Sequence, residues 1–382
     1  MLKTRTAYFD NAATTFPKPE EVYRFMDIFY RECGVNVGRG QHKLAARASA
    51  LVSETRELLL DLNHCPEKRV VFTPSATEAL NIILRGIGIK DGWNVYVSPF
   101  EHNAVTRVLH HIGQTVRINL RTLEVHDLPS IQEQFAAHRP NLVVMSHASN
   151  VCGAVVPVHA ISAQARPYGA INVIDMAQTM GLIDTELSSS EIDYAVFAGH
   201  KTLYGPLGVG GFICSASANP TPLLYGGTGI DSANLDLPMS LPERYEVGSL
   251  NIQAIAGLNA ALKWIGAIGI HTICKREAEH RNRLLSIFSQ FSNVRVVEPT
   301  HPLSEHIGVV SCVIKGYAPD EIGKILCACG IAVRTGLHCS PDTHRQLGTF
   351  PSGTIRFAPS YFTTSDDFAD LEAALDHIEQ NS

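Results

Sequence analysis

Long apolar runs are missing from this 382-residue chain. No stretch approaches the ~18 continuous apolar residues of a membrane helix. The start, Met1-Leu2-Lys3-Thr4-Arg5, carries no apolar segment of a secretory signal. Runs of Lys and Arg are missing too, and with a formal net charge of −6 and 17 His nothing points to a nucleic-acid surface. The nine Cys are an odd number without framework spacing, which excludes a disulfide scaffold and reads as the reduced thiols of a cytoplasmic protein. No His or Cys spacing suits a metal, so none is expected. Cys327-Ala328-Cys329 lies in an apolar helical stretch, Asp320 to Gly330, and reads as core packing. Internal repeats are absent, and low complexity is confined to a short loop from Ser215 to Pro222. Apolar residues at 45% and charged residues at 18% describe a globular chain with a large core, and its length suits roughly two to three domains.

Short apolar runs alternate with helical segments over the first 250 residues. Strands are predicted at Val70–Phe72, Val95–Val97, Leu142–Met145, Val173–Ile174, Tyr194–Phe197 and Gly211–Ile213, and helices at Glu20–Glu32, Lys43–Leu62, Ala76–Gly86, Ile131–His138 and Val158–Tyr168. That alternation argues for an α/β domain with a mainly parallel sheet, whose ligands sit beyond the carboxyl ends of the strands. Pro and Gly crowd the stretch from Asn219 to Pro242, which reads as a long functional loop. A helical segment from Ile252 to about Phe291 follows, with a break near Gly266–Gly269. The remainder reads as a smaller α+β unit: strand Gly308–Ile314, helix Pro319–Cys329, strand Ala332–Arg334, strand Thr354–Phe357 and helix Ser365–Ile378.

Two strand ends carry an unusual pair. Ile171-Asn172-Val173-Ile174-Asp175 ends in a carboxylate, and Ile192 to Phe197 leads into Ala198-Gly199-His200-Lys201-Thr202-Leu203-Tyr204-Gly205-Pro206. An Asp after one strand and a Lys in a Gly-bounded turn after the next is the pattern expected of a pyridoxal phosphate site: the Lys anchors the cofactor and the Asp keeps its ring nitrogen protonated. Either residue alone reads as a cap or as solvated surface. Thr73-Pro74-Ser75-Ala76-Thr77-Glu78 opens an amphipathic helix, where free N–H groups are either capped or bind phosphate. His102, after Val97, either stacks on a pyridine ring or is an ordinary buried His. Asn150 and Gln178, the latter about one helical turn beyond Asp175, are candidates for the ring oxygen. Arg334-Thr335-Gly336-Leu337-His338-Cys339-Ser340-Pro341 sets a thiol on a Gly/Pro-bounded loop, where Arg334 and His338 would favour thiolate. Arg356, inside a strand, calls for a bidentate partner: a substrate carboxylate, or a structural Asp or Glu.

In this order the residues resemble the class V aminotransferases of PLP fold type I, and more narrowly the cysteine desulfurases and selenocysteine lyases of the Suf-type (group II) branch. The resemblance runs from Tyr8-Phe9-Asp10-Asn11-Ala12-Ala13 through Glu101-His102, Ser149-Asn150-Val151, Asp175-Met176-Ala177-Gln178, Gly199-His200-Lys201 and Glu246-Val247-Gly248-Ser249 to the Arg-Thr-Gly-x-His-Cys loop ending at Cys339. It implies a large domain over 16–260 built on a seven-stranded sheet, and a small α+β domain formed by 1–15 and 261–382. It implies Lys201 as the cofactor-anchoring residue, Asp175 at the ring nitrogen, His102 stacked on the ring and Gln178 at its oxygen. Ser75, Ala76, Thr77 and His200 fall at the phosphate. Ser249 would reach the phosphate of a neighbouring subunit in an obligate homodimer. Arg356, with Arg334 and Asn150, would hold the substrate, and Cys339 would receive its sulfur. Ala198 stands where these enzymes usually carry Ser, Ala76 where Thr is common, and Leu337 where a His is common.

The implied function is a sulfurtransferase that converts L-cysteine to L-alanine, leaves a persulfide on Cys339 and passes the sulfur to an acceptor protein or small thiol. Selenocysteine lyase, another class V lyase or aminotransferase, and a weakly catalytic sulfur-relay protein are the alternatives.

Overall fold

A computed structural model describes residues 5–38, 40–230 and 232–381. Residues 1–4, expected from the sequence to be a start without a signal and part of the small domain, lie outside the described residues. Strand β1 (Ala7–Tyr8) leads into helices α1 (Glu20–Cys33) and α2 (Lys43–Leu62). Then β2 (Arg69–Thr73), α3 (Ala76–Gly86), β3 (Asn94–Val97), α4 (Asn103–Gly113), β4 (Asn119–Thr122), α5 (Leu128–Ala137), β5 (Leu142–Ser146), α6 (Val158–Ala165), β6 (Ile171–Asp175), β7 (Tyr194–Ala198) and β8 (Gly210–Cys214) alternate. They form a seven-stranded sheet of order β2-β8-β7-β6-β5-β3-β4. β7, β6, β5, β3 and β4 run parallel, and β8 is antiparallel to both of its neighbours. This is a mixed α/β fold with a mainly parallel sheet. The central strands β5, β7 and β8 are buried at every position because helices cover both faces, which explains their unbroken apolar sequences.

α7 (Ile252–Ile268) is buried on most of its circumference, and α1 and α2 pack against it. At Gly269, whose φ of +87° suits a residue without Cβ, the chain turns by 84° into α8 (Ile270–Phe288). The predicted break therefore falls at its far end. No single described helix is long and apolar enough to cross a membrane.

The rest of the chain adds β9 (Val294–Val296), β10 (Val310–Ile314), α9 (Pro319–Ala328), β11 (Ile331–Ala332), β12 (Arg334–Gly336), α10 (Pro341–Gln346), β13 (Thr354–Phe357) and α11 (Ser365–Gln380). β12-β13-β10-β9 form an antiparallel sheet, and β1 pairs in parallel with β11. A separate apolar core, centred on Phe9, Phe288, Phe357 and Phe368, lies under it.

Several sequence expectations change. The single strand expected at Ala332–Arg334 is two strands in two sheets, separated at Val333. β1, β4, β9 and α4 were not predicted: β1 and β9 are too short to show a period, and β4 is a largely exposed edge of mixed polarity. Cys327 is exposed and Cys329 half-buried, so the pair at the end of α9 is not core packing.

Candidate active site

A cavity of about 220 Å³ opens beyond the carboxyl ends of β5, β6 and β7. Ser75, Ala76, Thr77, His102, Asn150, Asp175, Gln178, His200, Lys201, Arg334 and Arg356 line it, together with Ala12, Ala198 and other small residues. Eight segments of sequence spread over more than 340 positions contribute to this wall; the sheet brings most of them together because its parallel strands point their ends to one side.

Asp175 ends β6, fully buried, and its Oδ1 accepts from the Ala177 N–H at 2.9 Å. Burial raises its carboxyl pKa, against the pull of that N–H and of Lys201. Lys201 lies three residues past β7. Burial pulls its ammonium down to about 8, with Asp175 acting the other way. The turn that carries it is clasped by the N-terminal segment: Thr14 Oγ1 donates to the His200 carbonyl at 3.0 Å, and Thr15 Oγ1 to the Lys201 carbonyl at 2.8 Å. Sequence reading missed both threonines, which carry no local signal.

Ser75 caps α3, its Oγ accepting from the Glu78 N–H at 3.2 Å. β8 passes so close to this helix start that a Cβ on Gly210 would stand 2.9 Å from the Ala76 nitrogen. Residues Ser75, Ala76 and Thr77 of this helix start line the cavity in company with His200, whose Nδ1 is buried without a partner. His102 caps α4, its Nδ1 accepting from the Ala104 N–H at 3.0 Å, and burial lowers its pKa to about 4. The ring is therefore neutral, with its remaining proton on Nε2. Next to it Glu101 is buried, its carboxyl pushed up to about 7, and accepts from Ser98 Oγ, from the Ser146 N–H at 2.7 Å and from Ser146 Oγ at 3.0 Å. This network ties the segment before α4 to the end of β5 and so sets where His102 stands.

Gln178 sits in a hydrogen-bonded turn rather than a helix, and its Nε2 donates to the Ala12 carbonyl at 2.9 Å. Asn150 is engaged by the Cys339 loop: Nδ2 donates to the His338 carbonyl at 2.8 Å, and Oδ1 accepts from Ser340 Oγ at 2.7 Å. Arg356 is buried and pairs with Asp10 Oδ1 at 2.7 Å through Nη2, and donates to the Asn150 carbonyl at 3.1 Å through Nη1. Its structural carboxylate partner is thus Asp10, yet its Nε is buried and unpartnered.

Cys339 is half-buried, and Arg334 Nη2 donates to its Sγ at 3.0 Å. His338 does not add charge there as the sequence suggested. Burial lowers its pKa to about 2, and Nε2 pairs with Thr354 Oγ1 at 2.9 Å, so the imidazole is neutral. Ser249 is exposed and lies outside the walls of this cavity.

The family model for aminotransferase class-V matches residues 7–371. A probable cysteine desulfurase of Methanothermobacter thermautotrophicus is 29% identical over 97% of this chain and 94% of its own length. A probable cysteine desulfurase of Mycolicibacterium paratuberculosis is 33% identical over 94% of this chain, which spans only 53% of that relative. Among solved structures, the apo form of a cysteine desulfurase from Thermococcus onnurineus NA1 superposes with a TM-score of 0.91 at 28% identity, covering 99% of this chain and 95% of that one.

Proposed function

The chain belongs to the aminotransferase class-V family, and from that premise we propose that it is a cysteine desulfurase using pyridoxal phosphate. The observation that carries the reading is the adjacency of a buried Lys–Asp pair and a thiol hydrogen-bonded to an Arg. The residues present fit the cofactor. Free N–H groups at the start of α3 and the unpartnered Nδ1 of His200 suit a phosphate. Asp175 is a buried carboxylate suited to a protonated ring nitrogen, His102 is a neutral ring for stacking, and Lys201 is the amine for the aldehyde.

When bound, pyridoxal phosphate supplies an aldehyde for the substrate amine and a ring that withdraws electrons from Cα. Lys201, near neutrality because of burial, accepts the Cα proton of L-cysteine and later returns a proton to the product carbon. Arg356 and Arg334 hold the substrate carboxylate, Arg356 through the N–H groups Asp10 leaves open. Cys339 Sγ then attacks the substrate sulfur. The S–S bond forms as the Cβ–S bond breaks, its electron pair goes to Cβ, and protonation there completes alanine. L-Cysteine and the Cys339 thiol thus become L-alanine and a Cys339 persulfide, with no outside oxidant. Asn150 serves as a positioning residue for the loop. Ser249, exposed and outside the wall of its own cavity, is assigned to the phosphate of a second copy in a homodimer. The apolar Tyr225, Leu235 and Met239, exposed on the loop before it, support such an interface.

The test is to incubate cofactor-loaded protein with L-cysteine and a reductant and to quantify alanine and sulfide beside a Cys339→Ser control. Equimolar products that vanish in the control are expected. Alanine formed at the normal rate by the control would remove Cys339 from the reaction, and pyruvate in place of alanine would indicate a β-lyase.

A further inference from the structure

Cys339 is not among the residues that line the cofactor cavity. It lines a second cavity of about 390 Å³, between α3 and α4, while its Sγ is held by Arg334 from the wall of the first. Thr77, His102 and Ala104 belong to the walls of both cavities and stand between them. The second cavity is cationic in a protein whose net charge is −6. Arg85 from the last turn of α3 and Arg107 and His111 from α4 line it, with Asn81 and Asn103, and among the described residues no Asp or Glu does. Among the described residues neither guanidinium has an ion pair or a hydrogen bond, and both side chains are exposed. Two unpaired Arg at one mouth repel each other and cost stability, and an arriving anion relieves that repulsion. Helix α4 also holds the thiol in place, since the Asn103 N–H donates to the Cys339 carbonyl at 2.7 Å.

We propose that this second cavity is the acceptor port: an anionic thiol, one that carries carboxylates beside its sulfur, enters between Arg85 and Arg107 and takes the sulfur from Cys339. The proposal rests on the desulfurase reading above and names the chemistry of its acceptor. The acceptor thiolate attacks the outer sulfur of the Cys339 persulfide. The S–S bond within the persulfide breaks, a new S–S bond forms on the acceptor, and Cys339 leaves as thiolate. A second acceptor thiolate then displaces hydrosulfide, giving the acceptor disulfide. The thiols supply all the electrons. Substrate and acceptor thus approach from opposite sides of the His102 partition, and bound substrate need not leave for sulfur to be unloaded.

The experiment separates loading from unloading. Cofactor-loaded protein is treated with L-cysteine, desalted, and the persulfide on Cys339 is verified as one added sulfur by intact mass. Its discharge is then timed with mercaptosuccinate, 2-mercaptoethanol and cysteamine, which are anionic, neutral and cationic, and rates are expressed per thiolate because their acidities differ. Mercaptosuccinate should be faster than cysteamine by about tenfold or more at low salt, and the gap should close at high salt. The Arg85→Gln/Arg107→Gln double variant should lose most of the gap while 2-mercaptoethanol is little changed. Equal rates for the three thiols, or a preference that survives in the double variant, overturns the port while leaving the desulfurase reading intact. Failure to load any persulfide overturns the desulfurase reading, and the port with it.

Discussion

Lys201 and Cys339 stand on the walls of adjoining cavities, yet the backbones that carry them are held in different ways. Lys201 lies three residues past β7, in a turn where Tyr204 but not Lys201 has positive φ, and its position is set by the end of a sheet strand together with the hydrogen bonds from Thr14 and Thr15. Cys339 and His338 both have positive φ, +61° and +47°, in a loop of the small antiparallel sheet. Each such residue costs roughly 1–2 kcal/mol. Side chains and N–H groups from elsewhere offset that strain. Asn150 holds the His338 carbonyl and Ser340, Asn103 holds the Cys339 carbonyl, and Thr354 pairs with His338. Lys201, the proposed anchor, thus sits just past a sheet strand without backbone strain of its own, whereas Cys339, the proposed nucleophile, sits in a strained loop pinned by tertiary hydrogen bonds. A strained thiol fixed at one spot is suited to attacking a sulfur on one side and surrendering it on the other.

Lys201→Ala should break the sheet-borne half outright. Turnover of cysteine should fall by about 10³-fold or more, with loss of the absorbance of covalently held cofactor while Asp175 and His102 remain. Retention of that absorbance would assign the anchor to another amine. Asn150→Ala attacks the other half. It removes two hydrogen bonds at about 1 kcal/mol each from the strained loop, and persulfide formation should slow by about 10–100-fold through misplacement of Sγ. The cofactor absorbance should survive; its loss would mean that Asn150 serves the cofactor rather than the loop. Asn150→Ser, which keeps one hydrogen-bonding group, should recover part of the rate.

The smallest effect concerns a buried carboxyl that neither half uses. Glu277 accepts from the Tyr204 hydroxyl at 2.9 Å, and burial pushes its carboxyl up to about 8. Its pKa is higher folded than unfolded, so the native state keeps a proton that the unfolded chain loses. Its contribution to stability is therefore lost as pH rises through about 8. The buried His titrate below 6.5 and act oppositely there, so the window to watch is pH 6.5 to 8.5. The wild type should lose urea resistance over that window more steeply than Glu277→Gln; parallel slopes would show that the carboxyl is already ionised.

Legibility in the sequence divides along the same line. Asp175, Lys201 and the Ser75–Thr77 helix start were readable because each follows a short apolar strand, and a parallel sheet gathers strand ends without further information. Cys339 was recognised as a loop thiol, but not its posture. Nothing near Thr14 and Thr15, or near Asn103, signals that they grip the Lys201 turn and the Cys339 loop. The pairing of Arg356 with Asp10 spans 346 positions, beyond the reach of any local pattern. His338 illustrates the cost of reading charge from proximity: it was expected to help the thiol, and burial leaves it neutral.

By itself, then, the sequence determined the alternation of strands and helices, the order of the chemical groups along them and the family to which they belong, since these follow from apolar periodicity and short motifs. Only the tertiary structure decided which cavity Cys339 lines, which guanidinium touches it and which imidazoles burial keeps neutral. Those outcomes depend on desolvation and on hydrogen bonds between distant segments, and neither exists until the chain has folded.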